Sequence, residues 1–300
     1  MSELRKKLGD ISAYAFVAPA VILMAIFIVY PLISSVRLSL TDWSGLGKIN
    51  FIGIGNYIDI ANNPVFWNSI LLQILWAALS VVVLAVTGLF LALIVEYFTP
   101  LKSLIPVSRT ILFMPMMMSL VSIGLLWAMI FNPMIGILNE LLRTLNIIDG
   151  SQTIDLLGMN STALLAAFIP CIWQWSGFGM VVFSAAMQGI PREMIEASVV
   201  DGCTRFGQIR HIVFPLLKPT IAIVCTVNLI GGLKCFDLIY VMTAGGPGIS
   251  TQVTSIYIFK QAFVNSYYAN ASAMSVILFI VTAVLGAVFF KFSNKLDSYI

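Results

Sequence analysis

Charged side chains are scarce in this chain of 300 residues, where Asp, Glu, Lys and Arg together make up 10%, so the places where they gather are informative. The densest is Pro191-Arg192-Glu193-Met194-Ile195-Glu196-Ala197-Ser198-Val199-Val200-Asp201-Gly202-Cys203, followed by Thr204, Arg205, Arg210 and the one histidine, His211. Pro191 suits a first helical turn, Glu193 and Glu196 complement the positive start of a helix, and Met194, Ile195, Val199 and Val200 give it an apolar side. Gly202 ends that helix, and Thr204 caps a second one on which Phe206, Ile209 and Ile212 face the membrane or a neighbouring helix. By pattern alone such a segment either lies on a membrane surface or projects from it as helix, glycine turn, helix. A single histidine has no second ligand beside it, so no catalytic residue and no metal site are assigned. Cys171, Cys203, Cys225 and Cys235 form no C-x-x-C pair and read as unpaired structural thiols.

A second group of residues is mostly uncharged. Trp173, Gln174 and Trp175, followed by Ser176, Gly177 and Gly179, offer the flat apolar faces and neutral hydrogen-bonding groups that suit sugar rings and hydroxyls. Side chains two apart on a helix diverge by about 200°, so one of the two tryptophans packs elsewhere. Gln174 needs polar partners if it sits in hydrocarbon. Asn228 is the corresponding candidate on a later segment, with Thr226 near it, and Ser272 and Ser275 are lesser additions. Lys234 and Asp237 stand at i, i+3 and are expected to pair as a structural salt bridge near the outer surface. Met114 to Met118 and Trp127 read as core fillers, and Gly88, Gly124 and Gly286 as packing sites.

The elements that carry these residues are set by hydropathy. Hydrophobic residues make up 60% of the chain and the mean hydropathy is +1.00, outside the range of soluble domains of this length. A membrane helix needs about 20 mainly apolar residues, which places spans at about Tyr14–Val36, Asn68–Val95, Ser108–Phe131, Ser161–Met187 and Asn270–Phe290. A further stretch, Pro219–Leu233, is short, and charge asymmetry argues that it also spans. With both ends in the cytoplasm, Arg37, Lys48, Arg143, Lys234 and Lys260 are the only basic residues left at the outer side. The fold class expected is an all-α polytopic membrane protein of six transmembrane helices with both termini cytoplasmic. Gly189 to Lys218 then forms a cytoplasmic loop between helices four and five. The formal charge of +3 is dispersed, which speaks against nucleic acid as a partner.

Glu196-Ala197-Ser198, Asp201-Gly202 and Phe214-Pro215 resemble the EAA loop of permease subunits of binding-protein-dependent ABC importers, departing from it at Ser198 and Cys203, where alanine is commoner. Phe51-Ile52-Gly53-Ile54-Gly55-Asn56-Tyr57 with Phe66-Trp67, and Phe236-Asp237, Thr243-Ala244-Gly245-Gly246-Pro247, Ser250-Thr251, Tyr257 and Phe263, are similar to the carbohydrate branch of that family. The resemblance implies an ATPase-coupling loop whose contact positions include Met194, Glu196, Ala197, Ser198, Asp201 and Gly202. It also implies a substrate path that draws on Trp173, Gln174, Trp175, Asn228 and Ser275. Residues 1–66 are expected to hold the tail, first span and outer loop, 67–291 the permease core with its coupling loop at about 189–218, and 292–300 a cytoplasmic tail. The implied partners are a second homologous permease, a dimer of ATP-binding subunits, an extracytoplasmic solute-binding protein and membrane lipid. ATP and magnesium would sit on the ATPase, and no cofactor on this chain. A G-x-x-x-x-G-K-[ST] phosphate loop is absent, and no paired carboxylates lie mid-span as a proton relay. The reading is therefore a non-enzymatic transport subunit of a bacterial or archaeal inner membrane that passes a sugar. The rivals are an ion-coupled carrier and an ABC permease for a polyol or glycerol phosphate ester.

Overall fold

Prolines and glycines decide where the helices of this chain bend, stop and touch. The computed structural model describes residues 16–99, 103–150 and 152–297, with side chains to residue 291, and it divides into two units. Part of the expected first span and the ends of both tails lie outside the described residues.

The first unit holds residues up to 63 together with 258–280. Its first helix, α1 (Phe16–Leu38), widens into a π turn over Ala25–Val29 ahead of Pro31, which has no N–H to continue the ladder and crowds the preceding turn. After α1 the chain reverses through an antiparallel bridge between Thr41 and Phe51. Asn50 donates from its side chain and backbone to the Asp42 carboxylate, holding that carboxyl below its ordinary pKa. A short helix, α2 (Gly55–Ala61), follows. Its buried Asn56 donates through Nδ2 to the carbonyls of Ser39 and Thr41, both at 2.8 Å, and the Tyr57 hydroxyl meets Ser39 Oγ at 2.7 Å. The Gly-Asn-Tyr stretch thus closes the turn that follows α1.

The second unit holds residues 64–257 and 281 onward. Its centre is three helices: α3 (Pro64–Phe98), α7 (Ala163–Gln188) and α10 (Lys218–Leu233). Lipid tails are as apolar as leucine, so these helices gain little from hydrophobic exclusion and associate through close van der Waals contact. Glycine provides it. A Cβ on Gly88 of α3 would lie 2.8 Å from the Gly179 Cα of α7, and one on Gly232 of α10 would lie 2.7 Å from the Ala77 Cα of α3. Trp76, Leu84, Phe168 and Ile239 form one buried cluster, and Met180, Phe183, Val213 and Val224 another.

Around this centre run α4 (Leu104–Phe113), α5 (Leu120–Ile130), α6 (Ile137–Thr144), α8 (Arg192–Val200), α9 (Arg205–Leu216), α11 (Asp237–Thr243) and α12 (Thr254–Phe259), and the last long helix is α13 (Tyr268–Asp297). Among the described residues four helices are long and apolar enough to cross a membrane, and two bent pairs bring the number to six if each counts as one span. The span expected over Ser108–Phe131 is one of those pairs, and the finding corrects it: Leu104–Met117 and Leu120–Ile130 meet at 95°. Pro115 sits in a 3-10 turn, and Met118 and Ser119 take extended backbone. The short stretch Pro219–Leu233 is helical, as α10, and meets α9 at 66° beside Pro215 and Pro219, so it enters the count of spans only as half of that bent pair.

Candidate functional site

Two assemblies of polar residues stand out in the second unit. The first is a cavity of about 290 Å³. One face of α3 contributes Trp76, Ser80 and Leu84, spaced at helical intervals; α7 adds Cys171 and Trp175; α10 adds Val227, Asn228, Gly231 and Gly232. Leu120 of α5 and the break between α10 and α11, with Lys234, Cys235, Phe236, Asp237 and Leu238, complete the wall. Trp76 is fixed edge-on against Phe168, ring centres 5.0 Å apart, and Phe236 stacks on Tyr240 at 5.1 Å. Asn228 is only 5% exposed, yet its Nδ2 has no hydrogen-bond partner. An amide left so in an apolar setting costs about 1–3 kcal/mol, and a guest carrying an acceptor oxygen would relieve it.

The cavity separates the sequence-derived candidates. Trp175 and Asn228 line it. Trp173 is 41% exposed on the other side of α7, its ring 6.0 Å from that of Trp127, as the two-residue offset requires. Gln174 is buried away from the cavity lining and donates through Nε2 to the Met118 carbonyl at 3.1 Å, at the break between α4 and α5. Ser275 and Ser272 return their hydroxyls to the carbonyls of Ala271 and Tyr268 on α13.

The Lys234–Asp237 ion pair expected from i, i+3 spacing is not formed. Among the described residues the ion pairs are Arg109–Glu96 and Arg143–Glu140. Lys234 ends α10, and Phe236 at φ −151° and ψ −64° breaks the helical path before Asp237 starts α11, so helical spacing does not hold between them. Both side chains line the cavity instead.

The second assembly is the loop carrying α8 and α9. Pro191 caps α8, and Gly202 follows it at φ +78°, a conformation that suits glycine. Thr204 Oγ1 accepts from the Gly207 N–H at 3.2 Å, capping α9 as its position suggests. The two helices are stapled from inside. Buried Ser198 donates to the Ile195 carbonyl at 2.6 Å and accepts from Nε2 of buried Gln208 at 3.0 Å. Met194, Val199, Val200 and Phe206 stay exposed, at 43% to 87%, as do Glu193, Glu196, Ala197 and Asp201.

Behind α8 lies a polar cavity of about 630 Å³ lined by Glu96, Tyr97, Gln188, Arg192, Ile195 and Glu196. Arg109 of α4 joins Glu96 at the end of α3 and, with the Gln188 amide oxygen turned toward it, the end of α7. Arg205 donates to the Tyr97 carbonyl at 3.3 Å, tying α9 to the same corner. Sequence reasoning passed over Gln208 and the Glu96–Arg109 pair. The signal available for the pair was Glu96 itself, a lone carboxylate inside a long apolar run.

The turn after α11 closes on its own hydroxyls. Thr243 Oγ1 and Thr251 Oγ1 meet at 2.7 Å, and Thr251 donates to the Gly246 carbonyl at 2.8 Å, with Ala244, Gly245 and Gly248 at positive φ. The four cysteines are free.

Residues 88–298 match the family described as binding-protein-dependent transport system inner membrane component. The probable ABC transporter permease protein YurN of Bacillus subtilis (strain 168) is 32% identical over 285 residues, covering 95% of this chain and 96% of its own. The lactose transport system permease protein LacF of Rhizobium radiobacter is 31% identical over 283 residues, covering 93% of each. In three dimensions the chain is similar to a crystal structure of a bacterial ABC transporter involved in the import of the acidic polysaccharide alginate, with a TM-score of 0.86, 23% identity, and coverage of 98% of this chain and 99% of the other.

Proposed function

The chain belongs to the family of binding-protein-dependent transport system inner-membrane components, and on that premise we propose that its cavity passes a carbohydrate. It is the inner-membrane permease subunit of an ABC importer, working with a solute-binding protein, a second permease and ATPase subunits, and ATP hydrolysis belongs to those other subunits. The observation that carries the sugar reading is Asn228, a buried residue whose Nδ2 has no hydrogen-bond partner and which lines the same cavity as Trp76 and Trp175. Rings stack on the indole faces, and hydroxyls satisfy the Asn228 Nδ2 and Ser80. The likeness to a lactose permease supports the same class.

In this reading ATP and magnesium sit on the partner ATPase, and α8 is the lever. Met194, Glu196, Ala197, Ser198, Asp201 and Gly202 form the docking helix and its end, with exposed apolar and acidic groups facing the ATPase and Ser198 holding the helix from inside. A second reading, an ester of a polyol with phosphate, draws on Lys234, which lines the cavity and forms no ion pair among the described residues.

One experiment tests both parts. Cells carrying the importer are given labelled lactose, maltose, trehalose and sn-glycerol 3-phosphate, and the tagged chain is then purified with and without Glu196→Lys. Uptake of a neutral sugar, and loss of the ATPase from the Glu196→Lys preparation while the second permease stays, are the expected results. Uptake of the phosphate ester alone would favour the second reading, and an ATPase that stays bound to the variant with uptake intact would refute the docking role of Glu196.

A further inference from the structure

The C-terminal end of α10 tightens into short turns, with the Lys234 and Cys235 N–H groups reaching the Gly231 and Gly232 carbonyls at 3.2 Å and 3.3 Å, and a helix end of this kind leaves carbonyls that need donors from outside the helix. A residue from another helix meets them. Gln73 of α3, 1% exposed, donates through Nε2 to the Gly232 carbonyl at 3.2 Å, the Leu233 carbonyl at 3.1 Å and Cys235 Sγ at 3.1 Å. Its Oε1 accepts from the Ser255 N–H at 3.5 Å, and Ser255 Oγ donates to the Cys235 carbonyl at 2.5 Å. One amide therefore links α3, the α10–α11 break and the start of α12.

We infer that Gln73 is a positioning residue for the solute passage: by holding the α10–α11 break against α3, it sets where Lys234, Cys235, Phe236 and Asp237 stand around the cavity. Gln73 does not line that cavity, whereas Trp76 and Ser80, one and two turns further along α3, do. Its bonds go to backbone at the point where the helix must stop, so that the next residues can turn into the wall rather than continue as α10. Gly232 supports this from the other side, because a Cβ there would lie 2.7 Å from the Ala77 Cα, so the end of α10 and α3 pass with no room for a side chain between them. The inference rests on the cavity being the passage.

The test uses the assembled importer in membranes. Cys171, Cys203 and Cys225 are replaced by alanine so that Cys235 is the one thiol of this chain, and its labelling by N-ethylmaleimide is timed on the separated subunit. Gln73→Met keeps the volume and removes the donor; Ser255→Ala removes the second tie. The wall loosens in Gln73→Met, and Cys235 labels about tenfold faster, with a smaller increase in Ser255→Ala. Uptake of labelled maltose relative to sn-glycerol 3-phosphate shifts as well, because Lys234 and Asp237 change place, while the variant purifies with its ATPase as the parent does. Unchanged labelling in Gln73→Met overturns the inference, as does equal loss of both uptakes with faster labelling, which is the mark of a purely structural role. If the parent takes up neither maltose nor the ester, the neutral sugar it does carry replaces maltose in the comparison; if it carries none of lactose, maltose, trehalose and sn-glycerol 3-phosphate, the reading of the cavity as a sugar passage fails, and faster labelling in Gln73→Met then shows only that Gln73 holds the break.

Discussion

Asn228 and Gln73 are both buried amides in an apolar bundle, and the difference between them is partnership. Gln73 spends its donors on helix-end carbonyls, so its role is in the wall; Asn228 keeps its Nδ2 unpartnered beside the cavity, so its role is toward a guest. Replacing Asn228 by leucine removes an unsatisfied donor, and the empty permease should be no less stable for it. The same change should lower uptake of the transported sugar about tenfold, the worth of one hydrogen bond to a bound guest. Thermal unfolding of the purified complex beside initial uptake rates checks this, and undiminished uptake in Asn228→Leu would remove Asn228 from the passage. At this scale the sequence was readable where chemistry is local. An Asn in an apolar helix, and a pair of tryptophans two residues apart of which one must pack elsewhere, are candidates that type and spacing name, and Asn228 and Trp175 stand in one cavity wall. The partners of Gln73 could not, because they lie about 160 residues further along the chain. Lys234 and Asp237 misled because i, i+3 spacing has meaning only within one helix, and the backbone turns at Phe236.

At the scale of elements, the loop helices were legible to within a residue or so, since proline, glycine and threonine mark their ends by backbone mechanics alone. The break between α4 and α5 was hidden because a charge-free window measures transfer to lipid and says nothing about helix continuity; Pro115 was the available cue. The staple inside the loop follows from the position where this chain has Ser198. Ser198→Ala would strand the buried Gln208 amide, costing about 1–3 kcal/mol, whereas Ser198→Ala with Gln208→Leu removes donor and acceptor together and should recover most of that loss. A double-mutant cycle on the unfolding temperature of the assembled complex measures it. If the staple also keeps α8 and α9 moving as one lever, solute-stimulated ATP hydrolysis should fall in Ser198→Ala and return only in part in the double variant, which refills the volume without restoring the bond. Additive effects of the two changes would show that the bond carries neither stability nor coupling.

For the whole molecule, composition alone specified a membrane bundle, and the family resemblance supplied its purpose; neither could say where the helices touch. Glycine content is a poor guide by itself. Gly88, Gly124 and Gly286 looked alike in sequence, yet a Cβ on Gly88 would press on the Gly179 backbone, one on Gly124 would meet Val241, and one on Gly286 would have nothing within 4 Å among the described residues. The distinction matters because backbone-to-backbone contact is what holds helices together in lipid. Gly88→Val should separate α3 from α7 and cost about 1–3 kcal/mol or more, since neither backbone can retreat without disturbing the cluster around Met180 and Phe183. Gly286→Ala should leave yield, unfolding temperature and uptake at parental values. Size-exclusion profiles and unfolding curves of the two purified complexes decide it. A tolerated Gly88→Val would mean that the α3–α7 crossing is loose enough to slide during transport, and a damaging Gly286→Ala would mark that face of α13 as covered by a partner subunit in the assembled importer.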